Sequence, residues 1–378
     1  MATSSRETLT AIRARLAELE SEKAKLEQLL ASYAYPILTL PNEITGLIFT
    51  HYVPPYPECP PFSGFGSPTT LSHVCHSWRQ IALSMSSLWC AIQYGEFTQA
   101  AAVSSWLSRS GDRLLALSFQ GYYDDTPAED VRDLILGCSV RWEHIQLGDG
   151  MNLDHSLLAG GTPNLRHLEL HVDTIKTRNL RDAPNLRTAI IWDTFHCPRG
   201  LLPWSQLTGL ILICLTVEQT AMIVSQTPNL RYCELMLEGE YPTALAPPDI
   251  SLPHLETLVL SKYSDFESGD PVPGEFLLNL ITPVLRHLRI TDPMLRPDPA
   301  VCLSQFVHKV RCPLEDITIL GHRSLSKDSY DPWVWRERNQ NKSLPEVLFE
   351  EGENEWFKED VSRRSRERLL ELSFRESE

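Results

Sequence analysis

Pro163-Asn164-Leu165-Arg166-His167-Leu168-Glu169-Leu170 is the stretch that organises the rest of the chain. Its first four residues recur as Pro184–Arg187 and Pro228–Arg231. Each copy leads into an apolar pattern of the form L-x-x-L-x-L, the length of one short strand. Working outward, the first position of that pattern falls at Trp89, Leu114, Trp142, Leu165, Leu186, Leu207, Leu230, Leu255, Leu285 and Leu314. Proline stands two places before Leu165, Leu186, Leu230, Leu255 and Leu285. Successive first positions lie roughly 21–30 residues apart, a period at which each unit carries one strand and buries its apolar side only by stacking on its neighbours. The spacing predicts an irregular α/β solenoid over residues 95–325, with Leu207–Val217 as a buried strand inside it.

Side chains alternate along a strand. On that basis the residues one place after the first apolar position face outward: Arg166, Arg187, Thr208, Arg231, Glu256, Arg286 and Glu315. Arg166, Arg187, Arg231 and Arg286 then form a column suited to bidentate contact with carboxylate or phosphate, a candidate substrate-binding surface. The alternative is a solvated face on which Arg166 pairs with Glu169 and Arg231 with Glu234.

Two regions precede the repeats. Residues 1–35 carry Leu9, Ile12, Leu16, Leu19, Leu26 and Leu30 at alternating steps of three and four, with Lys23 in the seam. Such a heptad pattern predicts a helix that either pairs with a second copy or packs on its own downstream domain, and the spacing leaves both open. Pro36 ends it. In residues 36–94, Pro41 and Glu43 suit a helix start, and Ile44, Leu47, Ile48 and Tyr52 share one helical face. Pro54 and Pro55 stop that helix, and the Pro- and Gly-rich stretch to Ser67 is a loop. Ser67-Pro68 caps a second helical start. Leu71, Val74 and Cys75 form its face, and Trp78, Ile81, Ala82 and Met85 continue at helical spacing. Residues 36–94 thus predict three short helices around a small core.

The order Leu40-Pro41, Glu43-Ile44, Ile48-Phe49, Leu71, Val74-Cys75, Trp78-Arg79, Ile81-Ala82, Leu88-Trp89 and Ile92 resembles the F-box, with a lengthened link at Pro54–Ser67. A heptad helix leading into this segment is similar to F-box proteins that are numerous in mushroom-forming fungi. The repeats resemble an irregular leucine-rich-repeat array. They depart from it eight places after the first Leu, where Asp173, Thr194, Leu215, Glu238, Tyr263, Pro293 and His322 stand in place of the usual Asn or Cys. These resemblances imply a substrate-recognition subunit of a Skp–cullin–F-box ubiquitin ligase. The F-box would bind the Skp-type adaptor through Leu40, Pro41, Ile44, Ile48, Val74 and Trp78, and the repeats would bind an unknown protein substrate. A scaffold that mediates protein–protein interaction without ubiquitination remains the alternative.

Composition agrees with an interaction protein. The 378 residues are 42% hydrophobic, and the net charge of −15 disfavours a nucleic-acid partner. The N-terminal thirty residues lack the apolar core of a signal peptide, and the longest apolar run is too short for a membrane helix. Nine cysteines, an odd number in a chain this long, point to reduced thiols and hence to cytosol or nucleus. His73, Cys75 and His76 lie close together, but no Cys-x-x-Cys or His-x-x-x-His completes a metal set; Cys75 reads as a core thiol. No phosphate loop or nucleophile elbow is present. A non-catalytic role with no cofactor and no metal is therefore expected. In the tail, residues 326–378, Asp331–Trp335 reads as a docked segment and Glu355–Phe374 as a helix.

Overall fold

The computed structural model describes residues 2–32, 36–94, 99–119, 129–147, 161–171, 182–192, 201–237, 249–262, 275–295, 299–321, 347–351 and 367–370. The repeated Pro-Asn-Leu-Arg explains itself at atomic level. In Thr162-Pro163-Asn164-Leu165 the Leu165 N–H donates to the Thr162 carbonyl at 3.2 Å, closing a β-turn. Leu186 to Ala183, Leu230 to Thr227, Leu255 to Leu252 and Leu285 to Thr282 close the same turn. Proline at its second position arrives with φ already set. The asparagine side chain reaches across to the preceding unit. Asn164 Nδ2 donates to the Val140 carbonyl, Asn185 to Pro163 and Asn229 to Ser205, each at 2.7 Å. The leucine points into the core, where Leu165, Leu186, Leu230, Leu255 and Leu285 are all buried.

Each turn launches a strand. The strands are β1 (Ala91–Tyr94), β2 (Leu115–Phe119), β3 (Trp142–Leu147), β4 (His167–His171), β5 (Thr188–Trp192), β6 (Gly209–Leu215), β7 (Tyr232–Leu237), β8 (Ile250–Ser251), β9 (Thr257–Lys262), β10 (Leu280–Ile281), β11 (His287–Thr291), β12 (Asp316–Gly321) and β13 (Val347–Glu351). Eleven form one sheet in the order β1-β2-β3-β4-β5-β6-β7-β9-β11-β12-β13, while β8 and β10 pair separately. Every pairing in the large sheet is parallel. The register aligns His144, His167, Thr188, Gly209, Tyr232, Thr257, His287 and Asp316 in one row across the sheet.

Nine helices are described: α1 (Ala2–Ser32), α2 (Asn42–Tyr52), α3 (Pro68–Ser72), α4 (His76–Ser84), α5 (Ala100–Arg109), α6 (Glu129–Gly137), α7 (Val217–Val224), α8 (Glu275–Leu278) and α9 (Pro299–Val310). Local chemistry accounts for their starts. Ser67 Oγ accepts from the Thr69 N–H at 3.2 Å with Pro68 following. Thr216 and Gln219 form a reciprocal capping box at α7. Among the described residues, five crossovers carry helices: α5 between β1 and β2, α6 between β2 and β3, α7 between β6 and β7, and α8 and α9 further along.

The expected fold, a separate helical F-box joined to a leucine-rich-repeat solenoid, is corrected by this arrangement. The chain forms an α/β fold built on one parallel eleven-stranded sheet with helices. The reason lies in the packing. A single apolar core runs from Phe49, Leu71, Ile81 and Ala82 through Trp89 and Ile92 to Ile317 and Ile319, so the helical segment and the sheet share one interior. Trp89 stands at the join. It is fully buried, meets Trp106 edge-on with ring centroids 4.9 Å apart, and donates from Nε1 to the Ala82 carbonyl at 2.8 Å. The Arg109 guanidinium lies over its ring at 4.5 Å. Trp89 therefore ties α4, α5 and the first strand together. Among the described residues, no helix is long and apolar enough to cross a membrane.

Candidate functional site

The first candidate surface is on the helical segment. α2 buries Thr45, Gly46 and Phe49 and leaves Ile44, Leu47 and Ile48 exposed. Leu40 and Pro41, just before it, are exposed as well, and so are Ile37 and Val74. Apolar side chains on both sides of one helix are unusual, because burial of the inner side alone would hold it in place. Of the six residues expected to contact the adaptor, Leu40, Pro41, Ile44, Ile48 and Val74 reach solvent. Trp78 does not belong with them. It is half-buried and packs edge-on against Phe49, with centroids 5.0 Å apart. Cys75 also departs from its expected place in the core. It is half-buried and caps α4, its Sγ accepting from the Trp78 N–H at 3.5 Å. Among the described residues no cluster of His, Cys, Asp and Glu is arranged to hold a metal ion.

The arginine column exists as a backbone ladder at the strand entrances. The N–H of Arg166 donates to Glu143, that of Arg187 to Arg166, that of Thr208 to Arg187 and that of Arg231 to Thr208. The side chains are engaged along the ladder. Arg166 pairs with Glu143 at 3.3 Å, Arg231 with Glu256 at 3.6 Å and Arg286 with Glu315 at 2.6 Å. Arg187 Nη1 donates to the Pro184 and Leu186 carbonyls at 3.2 and 3.1 Å. The partners are thus Glu143 and Glu256 rather than the expected Glu169 and Glu234. The β-turn shifts the phase of alternation: strands start one residue later, and the side chains on the sheet face opposite the main core are His167 and Glu169, both buried, rather than Arg166.

That second face was missed in the sequence, although strict alternation counted from His167 would have found it. At its N-terminal end Ser118, His144, Gln146, His167 and Glu169 line a cavity of about 610 Å³ together with Tyr56 and Cys59. Tyr56 donates to Glu143 Oε2 at 2.7 Å, and His167 Nδ1 lies 2.8 Å from Thr188 Oγ1. Ser118 Oγ donates to Gln146 Oε1 at 2.7 Å. Burial, followed by the charges of His167 and Arg166, lowers the His144 pKa to about 3, so the imidazole is neutral at physiological pH. Burial and the Glu143 hydrogen bond raise that of Tyr56.

Further along, the same face turns apolar. Ile190, Ile211, Ile213, Tyr232, Met236 and Val259 form a second cluster, distinct from the main core, and Leu369 of the C-terminal segment belongs to it. Residues 367–370 are helical, and Glu367 and Leu370 also line the cavity. The docked segment expected at Asp331–Trp335 lies outside the described residues, as does most of the helix expected over Glu355–Phe374. Compared with known proteins, the chain matches no family model and no curated protein sequence.

Proposed function

We propose that the chain is the non-catalytic substrate-recognition subunit of a Skp–cullin–F-box ubiquitin ligase. The helical segment docks the Skp-type adaptor, and the parallel sheet presents a protein substrate. The observation that carries the reading is the row of exposed apolar side chains Ile44, Leu47 and Ile48, with Leu40 just before them, on a helix whose opposite side is already buried. An apolar helix surface of this kind suits a helix-in-groove contact. The F-box-like order of residues from Leu40 to Ile92 supports it. Six of the described thiols fit a non-catalytic role, because burial pushes up the pKa of Cys59, Cys90, Cys138, Cys233, Cys302 and Cys312. Such a subunit works in the cytosol or nucleus. The side chains described in α1, residues 11–29, are all exposed, among them Ile12, Leu16, Leu19 and Leu26, which favours pairing with a second copy over packing on the downstream domain.

Co-expression with a Skp-type adaptor tests the reading. A stable one-to-one complex is expected for the intact chain and is lost in Ile44→Asp. Ile44 is exposed, so the variant keeps its fold, with a stability change within about 0.5 kcal/mol. An intact chain that captures no adaptor, under conditions where a control F-box protein does, overturns the proposal.

A further inference from the structure

The link between α2 and α3, residues 53–67, turns one aromatic side chain out into solvent. Phe65 is 89% exposed, the most exposed large apolar side chain among the described residues. The link does not lack places to bury a ring. Phe62, three residues earlier, packs on Trp106 with centroids 5.4 Å apart, and Pro60, Gly66 and Pro68 are buried. Nor is the position of Phe65 loose. Gly64 and Gly66, on either side of it, have φ of +92° and +80°, the left-handed region that glycine enters without steric cost. The Ser67 N–H and the Thr70 hydroxyl both donate to the Gly64 carbonyl, at 3.2 and 2.6 Å. The Ser67 and Thr69 hydroxyls donate to the Phe62 carbonyl, each at 3.0 Å. Further back, the Gln93 N–H donates to the Pro60 carbonyl at 3.2 Å and fastens the link to β1. Backbone conformation and hydrogen bonds together hold the ring outward. It meets the Tyr52 ring edge-on, with centroids 5.6 Å apart. Tyr52 is half-buried and follows Ile44 and Ile48 at steps of four, so the three share one side of α2 and span roughly 12 Å along it. Phe65 therefore lengthens the exposed apolar row of α2. Single exposed apolar side chains are ordinary, whereas a continuous row of them marks a contact surface.

We propose that Phe65 is an anchor for the Skp-type adaptor, which covers Ile44, Leu47 and Ile48 and closes over the Phe65 ring beyond the C-terminal end of α2. This inference rests on the reading of α2 as the adaptor-docking helix, and it adds to that site a residue from the link. The occupant follows from continuity. A partner seated on Ile44 and Ile48 with a contact of ordinary size, about 800 Å² on each side, extends past Tyr52 onto Phe65. Aromatic side chains held in place before binding make strong anchors, because little freedom is lost when they are covered. What the adaptor must supply is an apolar pocket that takes a phenyl ring.

The test uses the full chain and a purified Skp-type adaptor. Affinities of wild type, Phe65→Ala, Phe65→Leu and Ile44→Asp are measured by titration calorimetry. Phe65→Ala binds at least tenfold more weakly than wild type, and Phe65→Leu, which keeps an apolar side chain, recovers part of the loss. Equal affinity of Phe65→Ala and wild type, with the adaptor lost in Ile44→Asp, overturns the proposal and leaves the adaptor reading standing. A wild-type chain that binds no adaptor removes both. A second measurement, on the unaltered chain, guards against misfolding of the variants. Hydroxyl-radical oxidation of Phe65 is followed by mass spectrometry with and without adaptor. The adaptor lowers it at least fivefold, and unchanged oxidation in the complex overturns the proposal. Protection of Phe65 in the chain alone, rising with its concentration, assigns the ring to a second copy and overturns the proposal as well.

Discussion

Replacing Trp89 by alanine should destabilise the helical segment and the sheet together, and by a large amount. The indole is fully buried, so truncation leaves a cavity where Trp106, Leu88 and Ile92 now pack. Truncations of buried tryptophan or phenylalanine cost about 3–5 kcal/mol. The Ala82 carbonyl, which now accepts from Nε1 at 2.8 Å, would lose its side-chain donor, and an unsatisfied buried group adds about 1 kcal/mol. Loss of the Arg109 contact over the ring adds about 0.5 kcal/mol more at this partly exposed arginine. The expected total is about 4.5–6.5 kcal/mol, a large share of the roughly 5–15 kcal/mol that holds a domain folded. Urea unfolding should be followed by far-ultraviolet circular dichroism and by fluorescence of the eight remaining tryptophans. Both transitions should move to lower urea together, because one core serves both parts. Trp89→Phe should recover most of the loss but not the hydrogen bond. A shift below about 2 kcal/mol, or two transitions that separate in the wild type, would refute the idea of a shared interior.

Other outcomes follow from the same geometry. The intact chain should be dimeric by light scattering, and a double change Leu16→Asp, Leu19→Asp should make it monomeric without altering adaptor capture; a wild-type monomer at tens of micromolar would count against pairing through α1. Asn185→Ala should cost about 0.5–1.5 kcal/mol in thermal or urea unfolding, because the exposed-side turn loses the bond to the Pro163 carbonyl; no loss would show that the asparagine does not pin the turns. Stability should also fall with acid. His144 has a folded pKa of about 3 against about 6.5 unfolded, so between those values the unfolded chain binds the extra proton. Its contribution is intact above pH 6.5 and is lost progressively as pH falls toward 3, by at most about 1.4 kcal/mol per pH unit. His144→Gln should flatten that slope in urea titrations at pH 7.5 and 5.0, and an unchanged slope would exclude His144 as its source.

Much of the sheet was legible because its strongest signal is local. Proline, asparagine and leucine at fixed offsets define a turn, a cross-unit hydrogen bond and a buried anchor, and all three lie within four residues. The period of the leucines followed directly. The phase of the strand did not, since the turn inserts a residue between anchor and strand and so moves the outward column from Arg166 to His167 and Glu169. Alternation counted from the leucine was one residue out. The shared core of helices and sheet was also hidden, because Phe49, Trp89, Trp106 and Leu115 are far apart in sequence and nothing local records their contact. The apolar spacing of α2 points to a single stripe from Ile44 to Tyr52, whereas Thr45, Gly46 and Phe49, on the opposite side, are the buried residues. Leu369 carried no signal of its own. A leucine in an arginine-rich tail reads as a solvated helix unless the face that receives it is known.

The asparagine-pinned turns have a consequence for how such a chain can change over time. The repeated turns sit at one margin of the sheet, where three of them are fixed to the preceding unit through Asn164, Asn185 and Asn229. The number of residues between the end of one strand and the next turn differs from unit to unit, 11 between His171 and Ala183 and 19 between Lys262 and Thr282. Added length between strand and turn leaves the pinned margin untouched, and a longer connection costs little in closure entropy. One margin thus acts as a binding spine and the other as an open page, on which new recognition sequences can be written without rewriting the fold.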